Sequence, residues 1–597
     1  MEEKWTIYAK RADFNGIGKK YGIDPVTARV IRNRDIVGDD AIEKYLHGSM
    51  QDTHAPELMK DMDKGCGIMA EKIREGKKIR IVSDYDVDGI MSNYILFKGL
   101  MEAGADVSYE IPDRLTDGYG INTRIIEDAK LDGIDTIITC DNGIAAFEAV
   151  ELAKSYGMTV IVTDHHEVPY DINDDGTRSY RLVPADAVID IKQQDCNYPF
   201  KDICGAGVAY KFIRRLYELM NKPWEDEDKY IEMLGLATVC DIMSLTDENR
   251  IYVKRALDII KETENIGLKA LLSVNGLLNR KITAYDFGFV LGPCFNATGR
   301  LESAKVGLSL LLSTDEAYAM EEAEKIKSIN ADRKSMTEEG TKRAIEIVEK
   351  DYKNDIILVI YVPKLHESLA GIVAGRIKEK YYKPTLLFTD GEGGILKGSG
   401  RSIEGYNMFD ELNTLREYFL KMGGHEMAAG FSIERDKLDD LRQKLNANQK
   451  LTKEDLTYKV HIDVAMPFSY ISPKLINELE MLEPYGKDNP KALFGQGNLS
   501  VVRLRFMGKD NQFGRITLQD ESGFRVDAVD FRINNFIESI KLWFGEQECD
   551  KMLRGQPNNI KINVAYHPEL NYYNGNTYIQ IRPDRYQKSE GEKNERH

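Results

Sequence analysis

No C-x-x-C pair occurs in this sequence. Its seven cysteines (Cys66, Cys140, Cys196, Cys204, Cys240, Cys294 and Cys549) are odd in number and lie far apart. That pattern excludes a zinc ribbon or a disulfide framework and favours a reducing compartment. No apolar run approaches the ~18–20 residues of a membrane span. The opening MEEKWTIYAKRADFN lacks the apolar centre of a signal peptide, so the expected location is the cytoplasm and no membrane contact is expected. Nucleotide-loop and nucleophile motifs are also missing. There is no G-x-x-x-x-G-K-[ST] loop and no G-x-S-x-G elbow, and Tyr210 stands where a dinucleotide loop beginning Gly205-Ala206-Gly207 needs its third glycine. His366-Glu367 and His425-Glu426 both lack the second histidine of H-E-x-x-H. Basic excess is missing too: Lys plus Arg is 81 and Asp plus Glu is 98, a net charge of 81 − 98 = −17. A generally basic coat for nucleic acid is thereby excluded. An enzyme that spends its acids on metal ions and keeps one basic groove is not.

What is present is a globular composition, 42% hydrophobic and 30% charged over 597 residues. At ~100–200 residues per domain this length suggests three to five domains. Residues 1–60 read as a short helical lead-in without chemistry. From residue 78, KKIRIVSDYDVDG, IDTIITCDNG and MTVIVTDHH read as strands ending in acids. Helical stretches at Ser92–Ala103, Thr123–Leu131 and Ala145–Tyr156 separate them. This alternation predicts a parallel sheet with right-handed crossovers. Residues 205–270 read as mainly helical, and 315–350 as one long charged helix, either a connector of two lobes or a plain solvated helix. A second α/β unit follows, with strands in DIILVIYV and PTLLFTD, a helix in LAGIVAGRIKEKY, and KGSGRS and KMGGHEMAAGF read as glycine-rich turns. After residue 455, short strand-like runs with polar turns predict a small β-barrel.

The chemistry concentrates where the first strands end. The carboxyl edge of an open parallel sheet is where ligands bind, so Asp84, Asp86, Asp88, Asp141, Asp164, His165 and His166 are expected to meet. In extended chain Asp84, Asp86 and Asp88 would point the same way, ~6.5–7 Å apart. Three buried carboxylates on one side need a cation among them. The D-x-D-x-D-G run imitates half of a calcium loop, but Ile95 stands where its bidentate Glu belongs. Two adjacent imidazoles diverge in ideal strand geometry, which favours one as a ligand and the other as a donor facing phosphate. Mixed carboxylate and imidazole donors suit Mn²⁺ or Mg²⁺, and a site of two such ions suits phosphoryl displacement.

D-Y-D-V-D-G (84–89), D-N-G (141–143) and D-H-H (164–166), in this order, resemble the motifs of the DHH phosphoesterase superfamily. Asp241 in ATVCDIMSL resembles its fourth motif, and GPCFNATGRLESA (292–304) the motif closing that domain. LAGIVAGRI, GSGRS and GGHEMAAGF resemble the DHH-associated domain, and EPYGKDNP (483–490) resembles the entry to the third domain of the RecJ family. The resemblance implies an α/β fold. It consists of a parallel-sheet DHH domain (61–314), a connecting helix (315–350), a second α/β DHH-associated domain (351–452), an all-β OB-like domain (453–585) and a disordered tail (586–597). It further implies one metal held by Asp86 and Asp141 with Asp84. The second would be held by Asp88, Asp141, His165 and Asp241, with Asp141 bridging the two. Asp88 and Asp141 would then be catalytic together with His166, which would face the scissile phosphate. Some relatives carry a histidine at the position of Val82, so here Asp84 would supply that ligand. Asn296 and Arg300 fit the fifth motif, where Cys294 replaces a frequent arginine. His425 would reach the phosphate from the second lobe, and Ser399, Arg401 and Arg114 would anchor a terminal 5′ phosphate through charge-assisted bonds. Arg503, Arg505, Phe506, Arg515, Phe524 and Arg525 of the OB-like domain would stack bases and track phosphates.

The implied activity is a 5′→3′ exonuclease specific for single-stranded DNA, releasing 5′-mononucleotides in repair and recombination. It would act as a monomer supplied by a helicase and a single-strand-binding protein. Two alternatives stand beside it: a DHH phosphodiesterase of short oligonucleotides or cyclic dinucleotides, and a non-catalytic scaffold at the replication fork.

Overall fold

In the computed structural model, which describes residues 2–589 apart from 115, 174, 176, 510 and 574, the chain divides into two units. One is built from residues 49–458, the other from residues 3–48 together with the chain from 459 on. The N-terminal segment contributes β1 (Glu3–Ile7), α1 (Phe14–Tyr21), α2 (Pro25–Asn33) and α3 (Asp39–His47). Both α1 and α2 start where sequence rules place them. Asp13 accepts from Gly16 N–H, and Asp24 accepts from Val26 N–H just ahead of Pro25. This segment is not a lead-in to the first sheet. Its apolar stripe, with Val30, Ile31 and Leu46, joins the core of the C-terminal barrel, and β1 is a strand rather than helix.

The first unit opens with α4 (Met62–Arg74), β2 (Lys78–Ser83), α5 (Val87–Glu102) and β3 (Asp106–Glu110). There follow α6 (Thr123–Leu131), β4 (Thr136–Cys140), α7 (Phe147–Ser155), β5 (Thr159–Asp164), a hairpin of β6 (Tyr170–Ile172) and β7 (Arg178–Tyr180), and β8 (Ala187–Asp190). Five of these strands form a wholly parallel sheet in the order β3-β2-β4-β5-β8. β2 lies between β3 and β4, so the connections leave it in opposite directions. The crevice at such a switch point is the preferred binding position of open α/β sheets. Both faces are covered, which is why the central strands read as unbroken apolar runs. One face packs on Met69, Ile95 and Phe212, the other on Ile125, Val150 and Ala153.

A helical layer completes this lobe: α8 (Gly205–Leu219), α9 (Ile231–Cys240), α10 (Asp247–Ile259), α11 (Ile266–Val274), a single turn α12 (Ala284–Asp286), α13 (Gly292–Leu301) and α14 (Ala304–Leu312). Lys211 of α8 is fully buried, 2.9 Å from the equally buried Glu248 of α10. The hydroxyls of Tyr198 and Tyr252 both donate to that carboxylate, and Lys211 also donates to the His54 carbonyl. Such a pair is tolerable only because its remaining bonding capacity is satisfied.

The long α15 (Glu316–Ile347) spans 32 residues, roughly 48 Å at 1.5 Å per residue. It is not solvated all round. Ala319, Ala323, Ile326, Thr337, Gly340 and Ala344 make a buried stripe at helical spacing. A Cβ at Gly340 would lie 2.7 Å from Leu365 of the second lobe.

That lobe contains β9 (Leu358–Tyr361), α16 (Ala370–Tyr381), β10 (Thr385–Asp390), β11 (Ile395–Arg401), α17 (Met408–Asn413), β12 (Phe419–His425), β13 (Ala428–Glu434) and α18 (Leu438–Asn448), with sheet order β12-β13-β11-β10-β9. KGSGRS thus lies along β11, and KMGGHEMAAGF is a hairpin of β12 and β13 around a turn at Glu426 and Met427, so the glycines of both segments sit in strands. In β11 glycine recurs because Phe431 and Met408 lie directly against Gly398 and Gly400 and leave no room for a Cβ.

In the second unit β14 (Tyr458–Ile462) pairs with β1, and β15 (Val464–Ala465) and α19 (Pro473–Glu480) lead into β16 (Phe494–Met507), β17 (Phe513–Gln519) and β18 (Arg525–Asp530). Helices α20 (Ile533–Phe544) and α21 (Glu546–Leu553) precede β19 (Lys561–Tyr573) and β20 (Asn576–Lys588). Pairing of β16 with both β17 and β19 closes the sheet into a barrel, the expected OB architecture. Disorder is expected from residue 586, but 586–588 belong to β20, and 590–597 lie outside the described residues. Among the described residues no helix is long and apolar enough to cross a membrane.

Lys211→Met would leave the Glu248 carboxylate buried without its cation. Loss of about 3–5 kcal/mol is expected for such a change. Trp224 packs beside Tyr210 and Tyr217 and reports on this layer. Urea unfolding followed by Trp224 fluorescence, with Trp5 and Trp543 replaced by Phe in both chains compared, measures the loss.

Candidate active site

The strand-end acids converge because each is followed by a backbone device that turns the chain sharply. After β2 the chain does not stay extended through Asp84, Asp86 and Asp88. Asp86 is the N-cap of α5 and accepts from Gly89 N–H at 3.1 Å, and Asp88 lies in the first helical turn. A Cβ at Gly89 would strike the Asp84 carbonyl, so the helix can begin there only with glycine. Asp84 and Asp86 therefore face Asp141, while Asp88 turns toward His165 and Asp241.

The D-N-G segment works differently. Asp141 has φ +59°, a left-handed conformation that Asp tolerates better than most residues. Asn142 pins it in place: its amide donates to the carbonyls of Val82 (3.1 Å) and Cys140 (2.9 Å) and accepts from Ile121 N–H. Gly143 at φ +117° passes so close to Thr139 that a Cβ would lie 2.5 Å from its hydroxyl.

His165 Nε2 lies 3.1 Å from Asp141 Oδ1, 3.5 Å from Asp88 Oδ2 and 3.6 Å from Asp241 Oδ2. Asp241 caps the C-terminus of α9. The next residue, Ile242, is β-branched yet has φ +55°, strain of the kind found around functional sites. His166 does not diverge from its neighbour as ideal strand geometry would have it. The two ring centroids are 4.5 Å apart, and His166 Nδ1 is 2.7 Å from Asp164 Oδ1 and 4.0 Å from Asp141 Oδ1. Asp164 draws the ring in while also accepting from the N–H groups of His165 and Ile144.

Charge decides what this cluster can hold. Two unit charges 4 Å apart repel by about 4 kcal/mol at an effective dielectric of ~20. Burial, then the charges of Asp88, Asp86, Asp241 and Asp84, push the Asp141 carboxyl far above the usual range. Burial and the Asp86 charge raise Asp88 to about 6. That shift is held down by the N–H groups of Gly205 and Ala206, which donate to its two oxygens at 2.6 and 2.8 Å. Burial and the His166 charge lower His165 to about 3, leaving a neutral imidazole suited to metal ligation. Burial alone would lower His166, but Asp164 outweighs it and raises the ring to about 9. Asp84 Oδ1 is buried and has no hydrogen-bond partner among the described residues. Carboxylate oxygens and a neutral imidazole that stay mutually repelling until a cation arrives fit hard divalent ions. Three groups each bring their ligand atoms within 4.8 Å of one another: Asp84/Asp86/Asp141, Asp88/His165/Asp241 and Asp141/His165/His166.

Several residues here escaped the sequence reading. The Tyr119 hydroxyl donates to the Asp141 carbonyl (2.9 Å) and lies 3.2 Å from His166 Nε2; its only sequence signal is its place in the DGYG turn after Arg114. Gly205 opens α8 and presents that helix's N-terminus to Asp88. A Cβ there would lie 2.7 Å from the Asp141 Cβ, so the G-A-G run is a carboxylate cradle. Asp190 ends β8 directly beside Asp164, and burial with the Asp164 charge pushes it up to about 8.

The basic residues line the second wall. Arg401 bonds Ser399 Oγ (3.0 Å) and the Gly400 carbonyl; burial and the nearby Arg114 charge lower its pKa. A Cβ at Gly371 of α16 would lie 2.7 Å from the Arg401 guanidinium, so glycine there lets the arginine lie flat. Arg114 stacks over Tyr85 at 4.9 Å. Burial, His166 and Arg401 all act on His425; burial is the largest influence and, with the Arg401 charge, lowers it. Arg300 is committed elsewhere: its guanidinium donates to the Ser368 carbonyl at 2.6 Å and bridges the two lobes. Asn296 is half-buried on the same helix, one turn earlier. Cys294 does not face the cleft; its thiol is buried beside the Val290 carbonyl, Asn275 and Asn330.

On the barrel Arg505 pairs directly with Arg515, and Arg503 lies on the same outer face. Opposed like charges are unfavourable unless an anion covers them; Asp527, which also accepts from the Thr517 hydroxyl, lies 2.7 Å from Arg515. Phe506 and Phe524 are each more than two-fifths exposed, and Arg525 bonds Gln519.

A parallel sheet with acids and paired histidines at its switch point defines the DHH class. Family models agree: the DHH family N-terminal domain matches residues 78–238, the DHHA1 domain 354–450 and the RecJ OB domain 462–584. The single-stranded-DNA-specific exonuclease RecJ of Bacillus subtilis is 32% identical over 541 residues, covering 90% of this chain and 67% of that protein. The Escherichia coli protein of the same name is 30% identical, covering 94% and 95%. The crystal structure of RecJ in complex with Mn²⁺ from Thermus thermophilus superposes with a TM-score of 0.81 at 24% identity, over 99% of this chain and 80% of that one. The chain belongs to the RecJ family.

Without divalent ions the Asp141→Asn chain should be more stable than the unaltered one, because one repelling charge is gone. With Mn²⁺ at 100 times its Kd the unaltered chain should gain about 2.7 kcal/mol, and Asp141→Asn much less. Thermal unfolding with and without Mn²⁺ measures both effects. A purely structural role for Asp141 predicts destabilisation in both conditions.

Proposed function

We propose that this chain is a metal-dependent exonuclease that degrades single-stranded DNA from its 5′ end and releases 5′-mononucleotides. The observation that carries the reading is the overlapping use of one small volume: the groups Asp84/Asp86/Asp141, Asp88/His165/Asp241 and Asp141/His165/His166 share members, and each is compact enough to hold an ion. Two ions are assigned, one to Asp84, Asp86 and Asp141, the other to Asp88, Asp141, His165 and Asp241, with Asp141 common to both. Mn²⁺ or Mg²⁺ bound there supplies Lewis acidity toward the phosphate and acidifies water.

The chain's own groups do the rest. His166, oriented by Asp164 at 2.7 Å, donates to the phosphate beside the Tyr119 hydroxyl. His425 meets the same phosphate from the opposite wall, while Asn296 and Arg300 border the strand from α13. Ser399, Arg401 and Arg114 receive the terminal 5′ phosphate. Support comes from the mutual proximity of the two guanidinium groups, felt in the lowered pKa of Arg401, with no carboxylate ion-paired to either among the described residues. The outer face bearing Arg503, Arg505 and Arg515 tracks the backbone, and Phe506, Phe524 and Arg525 offer stacking. Such a reader of backbone and stacked bases is indifferent to sequence and sensitive to salt.

The scaffold alternative is disfavoured because every acid and both histidines of the cluster are present. The dinucleotide alternative is disfavoured because a barrel with a basic outer face has nothing to hold on so short a substrate. An enzyme of single strands depends on reactions that unwind duplex and protect the product, so a helicase and a single-strand-binding protein are the proposed partners. Seven free thiols support the cytoplasm as its location.

Digestion of 3′-labelled single and double strands with Mn²⁺, Mg²⁺ or chelator tests the reading. Single strands with either ion should be shortened; duplex, and any strand with chelator, should survive. Asp141→Ala should abolish digestion with the fold retained, and near-normal activity would refute the shared-ligand role. Arg401→Ala should remove most of the preference for a phosphorylated over a hydroxyl 5′ end, about tenfold or more for a lost charge-assisted bond. Equal loss on both ends would refute that assignment.

A further inference from the structure

Strands β11, β13 and β12 align three rows of residues: Arg401–Ala428–His425, Ser399–Gly430–Gly423 and Lys397–Ser432–Lys421. Residues two apart on a strand share a face and lie ~6.5–7 Å apart, so the rows form one surface leading away from His425. Helix α16 covers this face over β10 and β11. Over β12 and β13 it is bare: a Cβ added at Gly423 or Gly430 would meet nothing within 4 Å. The third row walls a cavity of about 360 Å³ that is also lined by Arg114, Ser368 and the Glu367 carboxylate.

The contents of that cavity are specific. Lys397 is bound to Glu367 at 2.8 Å. Lys421 is exposed, and neither it nor Arg114 has an ion pair among the described residues. Ser368 and Ser432 add hydroxyls, and the floor is glycine. Phe431, the one aromatic residue of the lining, is buried in the lobe's core. A base would find no ring to stack on, while phosphate oxygens would find cations and hydroxyls, the one carboxylate of the lining, Glu367, being already paired with Lys397.

We infer that this cavity receives phosphates attached beyond the terminal 5′ phosphate, so that the enzyme accepts 5′-triphosphorylated strand ends. The inference rests on the proposed function: the Ser399–Arg401 rows hold the first phosphate, and the Lys397–Lys421 row, one step farther from His425, holds the remaining two. The reaction is unchanged, since the same phosphodiester is hydrolysed and the released nucleotide keeps its triphosphate. Strands with such ends are supplied by polymerases that initiate without a primer.

The test uses the full chain with Mn²⁺ and three otherwise identical 3′-labelled single strands ending in 5′ hydroxyl, 5′ phosphate or 5′ triphosphate. The unaltered chain should digest the triphosphate strand faster than the hydroxyl strand. Lys421→Glu should slow the triphosphate strand about tenfold or more, the scale of a lost charge-assisted bond, and leave the other two unchanged; Lys421→Arg should restore it. Digestion of the phosphate strand with the triphosphate strand refused would overturn this inference and leave the proposed function standing, as would an equal slowing of all three by Lys421→Glu. Failure to digest any strand would overturn both.

Discussion

The fold of the first lobe is organised around a repulsion. Asp84, Asp86, Asp88, Asp141 and Asp241 are gathered with His165 into overlapping groups in a largely buried crevice. No arrangement of apolar side chains would tolerate this without compensation, and the compensation is visible around the rim. Asp88 is held by two N–H groups at the start of α8. Asp141 is locked in a left-handed backbone by Asn142. Asp164, which belongs to the same rim, is neutralised by His166. Asp84 Oδ1 remains without a hydrogen-bond partner among the described residues, within a set of donors that could hold a divalent ion. Stability and function are opposed at this point, and the wide apolar layers on both sheet faces sustain the difference.

Much of this was legible in the sequence for a simple reason. Strands buried on both faces read as continuous apolar runs, and acids that interrupt such a run at its end stand out. The segments ending at Ser83, Cys140 and Asp164 carry that signal plainly. The order of motifs then pointed to one family, and family models match residues 78–238, 354–450 and 462–584.

What was not legible depends on backbone geometry. Extended-chain reasoning puts Asp84, Asp86 and Asp88 on one side; Gly89 instead allows a helix to start immediately, and the three acids part company. Gly205 reads as a failed nucleotide loop because its role is defined by a carboxylate more than a hundred residues earlier in the chain. Tyr119 acts through its hydroxyl on a carbonyl, which leaves no pattern. Glycines in β11 and β12 read as turns, since nothing local reveals that Phe431 and Met408 will press against those of β11. Residues 3–48 read only as part of a short helical lead-in because sequence adjacency is a good guide to contact only within a unit; their partners are some 430 residues away.

Helix α15 has a further consequence. It runs unbroken from one lobe to the other, packs along a continuous stripe, and is joined by the Arg300–Ser368 bond across the gap. Residues 49–458 form one compact unit, which holds both the acids of the first sheet and Arg401 and His425 of the second. Both lobes share this one helical strut, so a change in its length or packing would be felt by the two sets of side chains together.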